Sequence, residues 1–113
     1  QASNYEVNPK SYLSSAYHEA YKVQMDFYNY LLNLMGFKTG KTSYFLVVNA
    51  DRYAEGFFGE MKFSETLIPY KHDFSWIDRE VNNMIDCLNS EKLPDSHLSC
   101  ENCAYAKQRK NYD

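Results

Sequence analysis

The chain has 113 residues and a formal net charge of −3, and its 11 Tyr, 7 Phe and 1 Trp outnumber the 17 Leu, Ile and Val residues. That length suits one small domain of the usual ~100–150 residues and excludes a two-domain enzyme with a full-size cofactor fold. The mildly acidic balance lacks the overall basic footprint of a nucleic-acid binder, although a local groove can be basic on an acidic protein.

No apolar run approaches the ~18 residues of a membrane span. The start, QASNYEVNPK, has no basic and apolar leader pattern, and no Asn-x-Ser/Thr acceptor occurs. Three cysteines, an odd number, argue against a disulfide framework and for a reducing, cytoplasmic setting. Residue 1 is Gln rather than Met. The expectation is therefore a piece of a longer protein, or one from which an N-terminal segment was removed.

Residues 1–8 read as an extended lead-in. Asn8-Pro9 is a helix start, with Asn suited to the cap and Pro to the first turn. No Gly or Pro then interrupts until Gly36, which predicts a helix over Pro9–Met35, or two helices divided at Ser14-Ser15. Leu13, Tyr17, Ala20, Tyr21, Tyr28, Leu31 and Met35 recur at three- and four-residue steps and define its apolar face. Gly36 fits the C-terminal cap.

After a turn at 37–42, the run Tyr44–Val48 predicts a strand covered on both faces, as inside an α/β sheet. Phe57–Tyr70 predicts a second strand or a hairpin, at an edge because of Pro69. Asp73 or Ser75 then caps an amphipathic helix over 75–90, built on Trp76, Ile77, Val81, Met84, Ile85 and Leu88. Cys87 reads as a small core residue of that helix. Residues 95–113 read as a polar tail, with Lys107, Arg109 and Lys110 a solvated basic cluster. So thin a sheet implies further strands upstream or in a second copy.

Two features point to chemistry. Gln24 lies on the apolar helix face with Tyr28 four residues on, so the two are neighbours. Its amide is satisfied either by the Tyr28 hydroxyl or by a ligand at a polar site beside the core. Lys22, pointing elsewhere, is a candidate for a phosphate contact or a solvated lysine. Cys100-Glu101-Asn102-Cys103 has the spacing of a zinc or iron–sulfur ligand pair, but a full site needs four ligands. His97 is the nearest third candidate. A thioredoxin-like redox pair is disfavoured because the motif does not open a helix after a strand. His18, His72 and His97 show no partnered Ser or Cys, and no Gly-rich phosphate loop occurs. Asp78 and Glu80 read as solvated surface acids.

The segment Tyr21–Tyr28 resembles the Gln-x-x-x-Tyr helix of RecB-like nucleases in the PD-(D/E)XK superfamily. The succession YKVQMDFYNYLL, GFKT, YFLVVNADR, LIPY, SW and CENCAYAK is similar to an uncharacterised bacterial branch of it, over nearly the whole chain. The resemblance implies an α/β, restriction-endonuclease-like core, of which these 113 residues are the C-terminal half. It also implies a metal-dependent DNA nuclease, with Mg²⁺ or Mn²⁺ held by an Asp and an acid-x-Lys on strands that precede the Gln-x-x-x-Tyr helix. No acid-x-Lys precedes it here, and Glu6-Val7-Asn8 does not match. Gln24 and Tyr28 are then auxiliary catalytic and DNA-contacting residues. Relatives with a [4Fe–4S] cluster take three cysteines from the tail, whereas this tail supplies Cys100 and Cys103. The implied partners are DNA and the remainder of the nuclease domain, with no membrane. The competing expectations are a self-associating or partner-binding module, including a homodimer, and a small zinc or iron–sulfur protein.

Overall fold

The computed structural model describes residues 7–112. The first six residues, which hold most of the expected lead-in and Glu6, lie outside the described residues, as does Asp113. The chain divides into two compact units, 1–77 and 78–113. Among the described residues the elements are helices and one two-stranded antiparallel sheet. Among the described residues no helix is long and apolar enough to cross a membrane.

In the first unit, Asn8 caps a turn through its side chain, which accepts from Lys10 N–H at 3.0 Å. A continuous helix does not follow. Two short 3-10 turns, Tyr12–Ser14 and Ala16–His18, come before helix α1, Glu19–Leu34. The serines explain the interruption. Ser14 Oγ donates to Ser11 O at 2.6 Å, and the Ser15 hydroxyl accepts from Tyr17 N while its own backbone is extended, with ψ 136°. Short hydroxyl side chains compete for the backbone groups that a helix needs. Tyr12, His18 and Tyr21 stack successively, and His18 Nδ1 donates to Tyr12 O.

Helix α1 ends as predicted. Gly36 N–H bonds Asn33 O and Phe37 N–H bonds Leu32 O, the paired bonds of a Schellman cap, with Gly36 at φ 91°.

Strands β1, Ser43–Ala50, and β2, Phe63–Tyr70, pair antiparallel, from Ser43 opposite Tyr70 to Ala50 opposite Phe63. Thus Phe57–Met61 is not strand. It belongs to the connection, where Phe58 at φ 46° and Gly59 at φ 73° turn the chain. Burial alternates along β1, so the expectation of two covered faces is corrected. Phe45, Val47, Thr66, Ile68 and Tyr70 share the covered side, and only Ile68 among them is fully buried. Tyr44, Leu46, Val48, Phe63 and Leu67 are all more than half exposed. Each strand also keeps one edge without a partner strand among the described residues.

The apolar face expected of α1 is also bare. Tyr17, Tyr21, Tyr28, Leu31 and Met35 are exposed, whereas Asp26 and Asn29 are buried, each 6% exposed. Among the described residues Ile68 and Ile77 are the buried apolar ones. The helix turns its polar side inward.

The second unit holds most of α2, Ile77–Asn89, and then α3, Glu101–Arg109. Val81, Met84, Ile85 and Leu88 form an exposed apolar face of α2, and Cys87 is exposed rather than a core residue. The expected polar tail is helical in α3.

Gly36→Ala is expected to destabilise the first unit by about 1–2 kcal/mol, the cost of a Cβ at positive φ. Its added Cβ meets nothing within 4 Å, so no packing gain or clash offsets that cost. A urea-unfolding series checks it, and Gly36→Asn is expected to cost less.

Candidate functional site

Helix α1 carries two faces of different chemistry. On the exposed one, Gln24 Nε2 donates to Tyr28 Oη at 2.7 Å. The two side chains therefore meet as their spacing predicts, but on a solvent-facing surface rather than in a core. Because the Tyr28 oxygen accepts here, its own O–H stays available to a ligand. Lys22 points away from this pair. Its ammonium lies 2.8 Å from Glu19 Oε2, one turn back on the same helix.

The other face runs Lys22, Asp26, Asn29, Asn33 at steps of four, three and four, the spacing of one helical stripe. Asp26 is its centre. Oδ1 accepts from the Tyr70 hydroxyl at 2.9 Å and from Asp73 N–H at 3.1 Å, and Oδ2 accepts from Trp76 Nε1 at 2.9 Å. The three donors come from the end of β2, the following loop and the approach to α2. Burial first, then the Asp26 hydrogen bond and charge, push Tyr70 up from 10.0 to about 12. Asp73 is held below its usual range by hydrogen bonds from Ser75.

One turn along, Asn29 Nδ2 donates to Met25 O at 2.9 Å and to Ser43 Oγ at 3.0 Å, and Ser43 Oγ lies 2.7 Å from His72 Nδ1. Ser43 Oγ thus bridges the Asn29 amide and the His72 ring. Asn33 Nδ2 donates to Asn29 O and to Thr39 Oγ1, each at 2.8 Å. So His72 does have a serine partner, contrary to the sequence reading. Among the described residues every buried side-chain nitrogen and oxygen is hydrogen-bonded. Asn33, Thr39, Lys41, Lys71 and His72 line an open concavity of about 630 Å³ beside this network.

In the second unit, Cys100 caps α3. Its Sγ accepts from Cys103 N–H at 3.3 Å and lies 2.8 Å from Cys103 Sγ. The motif therefore opens a helix, although no strand leads into it among the described residues. Hydrogen bonds from the Cys103 side chain and backbone lower the Cys100 thiol, whereas the Cys100 side chain raises Cys103. His97 does not join them as a ligand. Its Nδ1 is taken by Ser99 N–H at 3.2 Å and lies 2.7 Å from Ser99 Oγ. Lys107 donates to Ser96 Oγ at 3.0 Å and Arg109 to Tyr105 Oη at 3.4 Å, so these members of the basic cluster have partners within their unit.

No protein-family model, curated protein or solved structure matches this chain.

The one acid-x-Lys triplet of the sequence, Glu60-Met61-Lys62, follows the Gln24 helix rather than preceding it. It sits at the mouth of the hairpin, where Lys62 O accepts from Asp51 N–H at 2.8 Å and both Glu60 and Lys62 are exposed. Among the described residues no three His, Cys, Asp or Glu side chains converge as metal ligands. Neither a catalytic divalent ion nor a complete zinc or iron–sulfur site fits this set. The Asp26 network was missed at the sequence level. Its readable signal was the polar stripe at 22, 26, 29 and 33.

Asp26→Ala is expected to cost about 3 kcal/mol or more, because it leaves three donors without their acceptor at ~1 kcal/mol or more each. Urea unfolding measures it. Tyr70→Phe is expected to cost about 1.5 kcal/mol at pH 8. The raised Tyr70 value means that its contribution is complete below pH 10 and lost as pH rises towards about 12. Stability curves at pH 8 and pH 11 are therefore expected to converge for Tyr70→Phe relative to the parent.

Proposed function

We propose that this chain is the auxiliary half of a RecB-like PD-(D/E)XK domain, acting in the cytoplasm on DNA, with the catalytic acids and lysine supplied by strands outside these residues. One observation carries the reading: Gln24 and Tyr28 form a hydrogen-bonded pair on the open face of α1, at the spacing of the Gln-x-x-x-Tyr helix. The sheet that follows supports it. A hairpin bare on one side, with both outer edges unpaired among the described residues, has the surface that additional strands of a restriction-endonuclease-like core would cover.

In this reading the residues present bind and orient. The Tyr28 hydroxyl and the Gln24 amide offer hydrogen bonds to a phosphate or to the reacting strand, and the exposed aromatics of α1 border them. Lys41 and Lys71 line the concavity on the other face of α1 together with Asp73, so they are no part of the Gln24–Tyr28 surface. Lys22, neutralised by Glu19, has a smaller share. The divalent ion of such a nuclease would activate a water. Its ligands do not converge on this chain, so no step is assigned to it here.

The bare faces favour a second reading, in which two copies cover one another. A concentration-independent monomer in sedimentation velocity would remove it.

The nuclease reading is tested in the protein expressed from its complete gene, with linear DNA and Mg²⁺ or Mn²⁺. Gln24→Ala and Tyr28→Phe are each expected to slow cleavage about ten- to hundredfold, the worth of one hydrogen bond to a charged group at ~1.5–3 kcal/mol. Unchanged cleavage in both variants would withdraw the site. Metal-dependent cleavage by the 113-residue chain alone, abolished by Glu60→Gln, would relocate the catalytic centre to the hairpin mouth and overturn the auxiliary role.

A further inference from the structure

The tail cysteines form a pair with no third ligand. Their sulfurs are 2.8 Å apart, against ~2.05 Å for a disulfide bond, and residues three apart at a helix start lie within the span that a disulfide bridges. Both thiols are free and part-exposed, and no His, Asp or Glu completes a metal set with them among the described residues. The two positions are not equivalent. Cys100 is the N-cap, and its sulfur already accepts the Cys103 N–H at 3.3 Å, the place where a helix stabilises negative charge. Cys103 lies inside the first turn. Cys87, exposed and alone on α2, provides an internal comparison.

We propose that Cys100 and Cys103 are a dithiol–disulfide exchange pair, with Cys100 attacking a small-molecule or protein disulfide and Cys103 resolving it. The Cys100 thiolate attacks one sulfur of R–S–S–R. That S–S bond breaks, RS⁻ leaves and takes a proton from water, and a Cys100–S–S–R mixed disulfide forms. Cys103 gives its proton to solvent and attacks Cys100 Sγ, and the second RS⁻ leaves and is protonated. Two electrons pass from the pair to the partner. The products are the Cys100–Cys103 disulfide and two RSH. The step needs no metal and is independent of any nuclease activity.

The test treats the reduced chain with glutathione disulfide and maps the products by peptide mass spectrometry. The parent is expected to lose two hydrogens and to carry a Cys100–Cys103 bond, reversed by dithiothreitol. Cys103→Ser is expected to trap glutathione on Cys100 about tenfold or more above Cys87. Cys100→Ser, which keeps a good helix cap, is expected to leave Cys103 no more reactive than Cys87. Equal labelling of the three cysteines would overturn the proposal. So would one zinc ion per chain that survives gel filtration and shields both thiols.

Discussion

The first unit depends on one buried carboxylate. Asp26 gathers a phenol, a backbone amide and an indole from three successive stretches of chain, 44 to 50 residues away in sequence. A charge taken out of water is costly unless hydrogen bonds replace its hydration, and here three do so. With Ile68 and Ile77 as the fully buried apolar side chains, hydrophobic burial offers little else to fix α1 to the hairpin. Asn29, Ser43 and His72 extend the same solution one helical turn further, and Asn33 and Thr39 another.

That arrangement inverts the usual amphipathic helix. The polar stripe faces the hairpin's Ser43/Tyr70 end and the aromatic stripe faces out. It accounts for the tyrosine surplus, because a phenol can give its ring to a surface and its hydroxyl to a partner. Tyr70 shows the buried version of this behaviour, bonded to Asp26. Tyr28 shows the exposed version, bonded to Gln24 and still able to donate. The same inversion places Gln24 and Tyr28 where an incoming molecule can meet them.

Local chemistry was legible in the sequence wherever neighbours in the chain decide it. Gly36 closes α1 as read, β1 is centred on the Tyr44–Val48 run, β2 keeps only the second half of the Phe57–Tyr70 reading, and Gln24 meets Tyr28 through simple i, i+4 geometry. Of the two readings offered for 9–35, the one divided at Ser14-Ser15 holds, because the serine hydroxyls take backbone groups that a continuous helix needs. Two things escaped. The inward face of α1 is set by Asp26, whose partners are remote in sequence, whereas a hydrophobic pattern shows only which residues share a side. Helix α3 lies in a polar stretch without apolar periodicity. Its start is marked by a cysteine acting as the cap, a residue type outside the usual capping set.

The two open strand edges carry a consequence of their own. Rows of N–H and C=O groups beside Tyr44, Leu46 and Val48, without a partner strand among the described residues, are a template for any extended segment that arrives, including another molecule's β1. Pro69, which lacks an N–H, and Glu65 oppose such growth from β2. The run from Phe45 to Val48 has neither a charge nor a proline to do the same for β1. A copy without its complement would therefore be sticky, prone to co-aggregation and a natural client for chaperones and proteases. The amount of this chain that survives in a cell would then track the supply of whatever covers that edge.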